Sequence, residues 1–307
     1  MMTRLYKKIL LCVFLSTSLS LTAAPLNKLV VFGDSLSDNG NLAAVQDYSF
    51  LNLPPYHHGF TNGSPAVEQL ATLLKTALLP SYYFSGTVYG NNFAVAGARA
   101  SGNRVIDLNA QVGAFLWNQH GIAPNDTLYV IFIGGNDIRD MRDQANEITA
   151  NTILNMASGN IQNALLQLHN AGANHFLVVN AADNGKLPET RLLAAYSTVD
   201  LLKRGYQKTT AFNEKLEKTV ESIEKSQGVD IELFDLMTFF NGILNHANPN
   251  HFSNATDACY SSVYFAYYPI CDDSKMDSFV FFDEIHPTQR VHALLGHALF
   301  SEVSEEN

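Results

Sequence analysis

Two apolar runs of this chain end in the same arrangement of glycine and polar residues, and this layout constrains the fold more than any other feature. Residues 29–32 lead into Gly33-Asp34-Ser35, and residues 127–133 lead into Gly134-Gly135-Asn136-Asp137. Short apolar runs rich in β-branched residues indicate buried strands. The turns place polar side chains just past the carboxyl ends of those strands, where open α/β sheets bind their ligands.

The rest of the chain alternates strand and helix patterns. Residues 174–180 and 229–234 are predicted strands, and residues 105–118, 145–170 and 190–226 show helical periodicity between the strands. This alternation predicts an α/β fold with a parallel, doubly wound sheet. The pattern breaks at about residues 237–282, which we expect to form a long aromatic-rich excursion.

The amino terminus predicts export. Arg4, Lys7 and Lys8 precede an apolar stretch at residues 9–15, and small residues follow at 22–24. This is the pattern of a secretory signal peptide, which we assign to residues 1–23. A membrane anchor is the alternative, but the stretch is shorter than the ~20 residues that span a bilayer. We therefore expect residues 24–307 to form one domain of a secreted protein that passes through the periplasm, without a transmembrane segment.

The net charge of the chain limits the classes of partner that we expect it to bind. Removal of residues 1–23 takes away three cations and no acids, so the net charge moves from −10 to −13. Such an acidic protein is a poor candidate for binding nucleic acid, because the phosphate backbone is bound by clustered Lys and Arg.

Cys259 and Cys271 are the two cysteines left in the mature chain. In an exported protein this pair predicts a disulfide.

The polar residues at the predicted strand ends supply the parts of a nucleophilic site. Ser35 is either a nucleophile or an ordinary helix N-cap. As a nucleophile it needs a base and a group that orients the base, and His286 and Asp283 are the candidates. The oxyanion could be met by the N–H of Ser35, the N–H of Gly97 and the side-chain amide of Asn136. This chemistry requires no metal and no cofactor.

The amino acids around Gly97 allow two interpretations of this segment. Residues 91–100 are rich in glycine and alanine. They could serve tight packing, or they could bring backbone N–H groups close to a ligand, which glycine permits.

Four sequence blocks together resemble the GDSL lipase/acylhydrolase family, also called the SGNH hydrolases. The blocks are residues 32–41, 92–98, 134–137 and 283–287, and they follow the family order. The resemblance implies a three-layer sandwich with a five-stranded, mainly parallel sheet and flavodoxin-like winding. It also implies Ser35 as nucleophile, Asp283 and His286 as its triad partners, and Gly97 and Asn136 as oxyanion donors. The chain has no Gly-x-Ser-x-Gly elbow, which disfavours the larger α/β-hydrolase family.

Finer features resemble one subgroup of that family. The chain resembles secreted bacterial phospholipase A and lysophospholipase enzymes, which are related to glycerophospholipid–cholesterol acyltransferases. The features that carry this resemblance are the chain length, the amino-terminal signal, the late cysteine pair and the sequence Phe60-Thr61-Asn62-Gly63. Thr61 stands where Ser is common in that phrase. The resemblance implies deacylation of lysophospholipids or phospholipids at a membrane or micelle surface, with a sterol as a possible acyl acceptor. The alternatives are a carbohydrate or short-chain esterase and a non-catalytic surface-binding protein.

The loop between the cysteines has a functional and a structural interpretation. It contains four tyrosines and a phenylalanine, namely Tyr260, Tyr264, Phe265, Tyr267 and Tyr268. Amphipathic aromatics suit a lipid–water interface. The loop either packs on its own domain or lies over the cleft and gates lipid entry.

No catalytic or metal-binding role is predicted for the remaining histidines. We expect His57 and His58 to be loop or cleft residues rather than metal ligands, and we assign no role to His292 or His297.

Overall fold

A computed structural model describes residues 28–247 and 252–304, so the predicted signal peptide at residues 1–23 lies outside the described residues. Its central sheet has four parallel strands in the order β1-β2-β3-β4. They are β1 (Leu29–Gly33), β2 (Leu128–Phe132), β3 (His175–Val179) and β4 (Asp230–Phe234). The four strands are in register at their first residues: Leu29 pairs with Leu128, Leu128 with His175 and His175 with Asp230. All four carboxyl ends therefore lie at one edge of the sheet.

The expectation of five strands is not met. Residues 91–95 run along the free edge of β1 with three backbone hydrogen bonds of 2.7–3.2 Å, but Asn92 forms only isolated bridges, with Val31 on the β1 side and with Pro80 on the other side. The other side of this segment bonds to a loop and a side chain: the Asn92 carbonyl accepts from the Ser81 N–H and from the Asn41 amide. With no strand ladder on that side, the segment stays irregular. It nevertheless occupies the outer position that gives the sheet a flavodoxin-like order.

Side chains of each strand alternate between two helical layers. Val30 and Phe32 of β1 face one core, and Leu29 and Val31 face the other. The first core is covered by α2 (Leu108–Asn118), α3 (Gly135–Asp143), α4 (Glu147–Asn170) and α6 (Leu201–Gln227). The second is covered by α1 (Ala66–Leu73) and α8 (Gln289–Ser304). The short helix α5 (Pro188–Ala194) follows β3. The result is a three-layer α/β sandwich.

The predicted excursion at residues 237–282 begins differently from the expectation. Its first part is a helix, α7 (Leu236–Asn245), because the Asp235 side chain caps the Thr238 N–H at 3.1 Å and Phe240 and Ile243 are buried at helical spacing. Two small pairs of strands follow. They are a parallel pair, β5 (Asn254–Ala258) with β8 (Phe279–Phe281), and an antiparallel pair, β6 (Tyr260–Ser261) with β7 (Ala266–Tyr267).

The structure contains the predicted disulfide between Cys259 and Cys271, with an S–S distance of 2.00 Å. Both cysteines are buried in a small core with Tyr56, Met276 and Phe282. The excursion therefore shares a small hydrophobic core with the loop that contains Leu51 and Tyr56, and this core includes Phe279 of β8 and Phe282 directly after it. Over residues 28–247 and 252–304, the structure has no helix of the length and hydropathy that crossing a bilayer requires.

Candidate active site

Ser35 lies in a tight turn directly after β1. The backbone carbonyl of Asp34 accepts from the N–H groups of Ser37 and Asp38 at 3.1 and 3.0 Å, and its carboxylate accepts from the Leu36 N–H at 3.1 Å. No helix begins at this turn in the described structure, so the helix-cap interpretation of Ser35 is wrong. The turn leaves the Ser35 side chain partly exposed at the edge of the sheet.

Asp283 and His286 occupy a second turn, which follows β8. One carboxylate oxygen of the fully buried Asp283 accepts from the N–H groups of Ile285 and His286 at 2.8 and 2.7 Å. The Phe282 N–H donates back to the His286 carbonyl at 2.8 Å and closes the turn. Aspartate side chains often fix such turns by bonding to N–H groups two and three residues on. Here the same carboxylate also faces the imidazole.

Three side chains from the two turns form one hydrogen-bonded line. His286 Nε2 lies 2.8 Å from Ser35 Oγ, although the two residues are 251 positions apart in the sequence. His286 Nδ1 lies 2.9 and 2.8 Å from the two carboxylate oxygens of Asp283. The Phe60 ring stacks on the imidazole at 5.0 Å. This arrangement can remove the hydroxyl proton of a serine and hold the resulting imidazolium against a carboxylate.

The Gly97 loop and Asn136 also meet. Asn136 lies in the first turn of α3, and its Nδ2 donates to the Ala98 carbonyl at 2.9 Å. Gly97 adopts φ +80°, a conformation that side chains disfavour, and its carbonyl accepts from Arg104 Nη2 at 2.7 Å. Asp137 accepts from the N–H groups of Ala100 and Ser101, which ties the same loop to α3. The second N–H of the Asn136 amide remains for a ligand.

Two buried carboxyl groups support the Ser35 turn. Burial raises the pKa of Asp34 to about 6, although a hydrogen bond from the Leu36 N–H and the charge of His286 lower it. Burial likewise raises the pKa of Asp38 to about 6, against four backbone N–H donors. One of these donors is Ala96, 2.8 Å away, so Asp38 joins the Ser35 turn to the Gly97 loop.

A cavity opens beside Ser35, Asn136 and His286. It encloses about 810 Å³, its solvent-open mouth included. Its wall is mainly apolar, and the apolar side chains are Leu36, Phe132, Ile133, Ala181, Ala182, Leu187, Leu236, Phe240, Ile285, Pro287, Val291 and Leu295. Three residues predicted for the site, Ser35, Asn136 and His286, thus line the same cavity as these apolar side chains.

His292 is part of this wall, although the sequence predicts no role for it. Its Nδ1 accepts from the Ala66 N–H at 3.1 Å, and burial, with a smaller effect of the His286 charge, lowers its pKa to about 3. The imidazole is therefore neutral at neutral pH. The available signal was its place on α8, three and seven residues before the buried Leu295 and Leu299.

The sequence likewise predicts no role for Arg139 and Glu189. Arg139 lies one turn after Asn136 on α3 and lines the cavity. Its guanidinium pairs with Glu189 at the start of α5. Their separation of 50 residues carries no spacing signal.

Other residues considered from the sequence lie elsewhere. The rings of His57 and His58 contact each other at 4.9 Å and do not line the cavity. In the part of the chain that the structure describes, no cluster of three or more His, Cys, Asp or Glu residues could hold a metal ion. The Cys259–Cys271 loop does not line the cavity either. Instead, Ser262 and Tyr268 bind the Glu284 carboxylate at 2.7 and 2.8 Å, so the loop is attached to the turn that carries Asp283 and His286.

An α/β sandwich that aligns a serine, a histidine and an aspartate beside an apolar cavity has the parts that a serine ester hydrolase uses. The chain belongs to the GDSL-like lipase/acylhydrolase family, whose family model matches residues 29–299. This match confirms the resemblance drawn from the four sequence blocks.

Individual relatives cover most of this chain. The thermolabile hemolysin of Vibrio parahaemolyticus serotype O3:K6 (strain RIMD 2210633) is 30% identical over 290 residues, which are 89% of this chain and 63% of the hemolysin. The phosphatidylcholine-sterol acyltransferase of Aeromonas hydrophila is 24% identical, over 94% of this chain and 95% of the relative. Among solved structures, a catalytic mutant of an acetylxylan esterase from Geobacillus stearothermophilus is similar in fold, with a TM-score of 0.50 and 16% identity over 90% of this chain and 94% of that chain.

Proposed function

We propose that the protein is a secreted serine ester hydrolase that removes fatty acyl chains from lysophospholipids and phospholipids through an acyl-enzyme on Ser35. The observation that carries this proposal is the mainly apolar wall of the cavity that begins at Ser35 and His286. Apolar walls bind an alkyl chain through the area they remove from water, at roughly 25 cal/mol per Å².

The geometry supports a two-step acyl transfer. Ser35 Oγ attacks the ester carbonyl carbon while its proton passes to His286 Nε2, 2.8 Å away. The carbonyl oxygen becomes an oxyanion, which accepts hydrogen bonds from the N–H groups of Ser35 and Gly97 and from the Asn136 amide. The C–O bond to the leaving alcohol then breaks, and His286 returns the proton to that oxygen. Asp283 holds the imidazolium through Nδ1 in the charged state.

The second step regenerates the enzyme. Water loses a proton to His286 Nε2 as its oxygen attacks the acyl carbon, and collapse of the second tetrahedral species releases the fatty acid while Ser35 Oγ regains a proton from His286. An alcohol in place of that water would yield a new ester instead of a fatty acid. The acyl-enzyme therefore serves hydrolysis and transfer alike.

Acyl transfer to a sterol is the second candidate function. It is supported by the Aeromonas hydrophila relative, a phosphatidylcholine-sterol acyltransferase that aligns over 94% of this chain. Hydrolysis remains the first candidate because it needs no second binding site for an acceptor.

A lipid aggregate is the proposed substrate form. Four apolar residues of the disulfide loop are half or more exposed, namely Val263 (70%), Tyr264 (79%), Phe265 (55%) and Ile270 (51%). Exposed apolar clusters mark interaction sites, and aromatic side chains suit lipid–water interfaces. The loop is bound to Glu284, next to Asp283, so an aggregate that touches it lies near the catalytic turn.

Lipid product analysis tests this function. Purified enzyme is incubated with lysophosphatidylcholine micelles, with and without cholesterol, and free fatty acid and cholesteryl ester are quantified. We expect fatty acid in both samples, at most a minor fraction of cholesteryl ester, and neither product from the Ser35→Ala variant.

An acetylated xylo-oligosaccharide, assayed in parallel, separates the alternatives. Rapid deacetylation without turnover of lysophosphatidylcholine would assign the site to carbohydrate esters. Full activity of Ser35→Ala on lipid would refute the proposed mechanism altogether.

A further inference from the structure

The side-chain amide of Asn136 is held at both of its ends. Its Nδ2 donates to the Ala98 carbonyl at 2.9 Å, and its Oδ1 accepts from Arg139 Nη1 at 3.2 Å. Rotation of the amide by 180° would set its oxygen against the Ala98 carbonyl and its NH₂ group against the guanidinium. Both contacts would then be repulsive, because a carbonyl has no donor and a guanidinium has no acceptor. The two contacts thus select one orientation of the amide.

Arg139 is itself fixed by a carboxylate. Its Nε lies 2.9 Å from one Glu189 oxygen, and its Nη2 donates to the other. Two parallel bonds of this kind set the plane of the guanidinium as well as its position. Glu189 also accepts from Arg142 Nη2 at 3.0 Å, and the Arg142 side chain has no solvent exposure. Nη1 of Arg139 is left facing Asn136.

Glu189 remains charged despite its burial. Burial raises the pKa of its carboxyl group, but the hydrogen bonds and charges of Arg139 and Arg142 outweigh burial and lower it below the ordinary value. The side chains of Arg139 and Glu189 are 27% and 19% exposed. Most of the contact is therefore shielded from water, which strengthens it relative to a surface ion pair.

Glu189 also touches the other half of the site through its backbone. Its N–H donates to the Glu284 carbonyl at 2.8 Å, and Glu284 follows Asp283 in the catalytic turn. One residue at the start of α5 thus contacts both the turn that carries His286 and the arginine that orients Asn136. A small shift between these two parts would move the oxyanion donor relative to the reacting carbon.

We propose that Arg139 and Glu189 are positioning residues, which hold the Asn136 amide in the orientation and at the distance that stabilise the oxyanion. The inference rests on the proposed function, since it assumes an oxyanion formed by attack of Ser35. Neither residue has to touch substrate for this role. Misplacement of a catalytic group by about 1 Å can cost on the order of 10²-fold in rate.

Two other roles make different predictions for the same residues. A purely structural ion pair would affect the free energy of unfolding but not the turnover of the folded enzyme. A phosphate-binding Arg139 would change KM for phospholipids and leave a neutral ester unaffected. The positioning role changes kcat on both kinds of substrate and leaves KM nearly constant.

The test is a double-mutant cycle with a neutral ester, p-nitrophenyl butyrate, and with lysophosphatidylcholine. Arg139→Gln and Glu189→Gln are each made in the wild-type and in the Asn136→Ala background. We expect Asn136→Ala to lower kcat by on the order of 10²–10³-fold. We expect each Gln variant to lower kcat by about 10- to 100-fold alone and by less than about 2-fold after Asn136→Ala.

Affinity for a boronic acid gives a readout that a structural role would not move. Butylboronic acid forms a tetrahedral adduct on a reactive serine, and one boronate oxygen takes the place of the oxyanion. Its inhibition constant should rise in each variant by the same factor as kcat/KM falls. Arg139→Lys should recover only part of the rate, because an ammonium cannot make the paired contact with Glu189.

Glu147→Gln is the matched control. Glu147 also pairs with two cations, Arg204 and Lys208, but these lie on α6 away from the cavity. Its removal should leave kcat and boronate binding unchanged.

The inference is overturned by losses in kcat that add fully to that of Asn136→Ala, by a change confined to KM for lysophosphatidylcholine, or by lower stability with unchanged kcat. Ser35→Ala and Asn136→Ala separate these outcomes from a failure of the proposed function. Activity that survives Ser35→Ala contradicts the function itself, whereas normal effects of both variants with silent Arg139 and Glu189 contradict only the positioning role.

Discussion

Ala182 shows how a single side chain can set the length of the acyl group. It lies in the cavity wall and is packed, partly buried, between two hydrophobic clusters. Its methyl group leaves room that a larger residue would occupy. Selectivity among acyl chains should therefore respond to bulk at this position, while the line from Asp283 through His286 to Ser35 stays intact.

The Ala182→Phe variant should shorten the preferred acyl chain. We expect kcat/KM for p-nitrophenyl laurate to fall by about 10- to 100-fold, because a lost hydrophobic contact is worth ≈ 1–3 kcal/mol per methylene. Turnover of p-nitrophenyl acetate should stay within about 2-fold, since two carbons do not reach deep into the chamber. Ala298→Phe is the control, because Ala298 is partly buried on α8 but does not line the cavity. An equal loss on both esters would contradict an acyl-binding role of the cavity.

The contact between α6 and the turn before α5 shows that close packing can reverse a helix-propensity effect. A Cβ placed on Gly205 of α6 would lie 2.6 Å from the backbone nitrogen of Gly185. The turn at 184–186 also carries Asn184, which lines the cavity. Helix propensity alone favours Ala over Gly by about 0.8–1.0 kcal/mol. Because a Cβ on Gly205 would collide with the backbone of Gly185, the Ala variant cannot obtain this stabilisation.

Gly205→Ala should therefore destabilise the protein by about 1–3 kcal/mol, the usual range for overpacking. Gly159 of α4 is the matched control, because a Cβ there meets nothing within 4 Å. Gly159→Ala should leave stability equal or raise it by up to about 1 kcal/mol. The midpoints of urea unfolding measure both effects. A stabilised Gly205→Ala variant would show that the two elements are not in contact.

Elements with a strong local pattern could be predicted from the sequence, and elements defined by distant partners could not. The apolar runs of the sequence predict the bounds of all four strands to within one residue. Residues 190–226 are mostly helical, as the sequence predicts, and they are divided between α5 and α6 because the Asp200 side chain accepts from the Lys203 N–H at 3.0 Å and begins α6. Where the fifth strand was expected, the Asn92 carbonyl is bound by Asn41 and Ser81, and no periodicity in the sequence predicts these bonds.

The same difference applies within the site. Ser35, Asp283 and His286 could be proposed because each follows an apolar run in a recognisable motif, and the structure brings all three together. Arg139 and Glu189 could not, because their pairing arises only from the packing of α5 near α3. In the sequence, His292 resembles an ordinary helix residue. The structure shows that it is buried and accepts a hydrogen bond from the Ala66 N–H.

At the scale of the whole molecule, buried groups with shifted pKa values make stability depend on pH in opposite directions. His292 has a pKa of about 3 in the folded state, against 6.5 ordinarily. As pH falls from 6.5 towards 3, the unfolded chain binds a proton that the folded protein refuses, so stability is lost. Asp34 and Asp38 have pKa values of about 6, against 3.8. As pH falls from about 6 to 3.8, the folded protein binds protons first, so these two groups add stability.

His292→Asn should remove the first effect and leave the second. Asparagine supplies an acceptor for the Ala66 N–H but does not titrate. Between pH 6.5 and 4.5 we expect the variant to lose about 2–3 kcal/mol less unfolding free energy than the wild type. Urea unfolding at stepped pH measures this difference, with the exposed His297→Asn on the same helix as control. Parallel curves for wild type and His292→Asn would contradict the neutral buried imidazole.

The central claim is that Ser35, activated by His286, is the group that takes the acyl chain, and covalent labelling tests it most directly. The enzyme is incubated with a dodecyl fluorophosphonate, which reacts with an activated serine, and the modified residue is located by peptide mass spectrometry. The account predicts one adduct per chain, on Ser35, with labelling at least about 10³-fold slower in His286→Ala. An adduct on a different residue, or an unchanged labelling rate in His286→Ala, would contradict it.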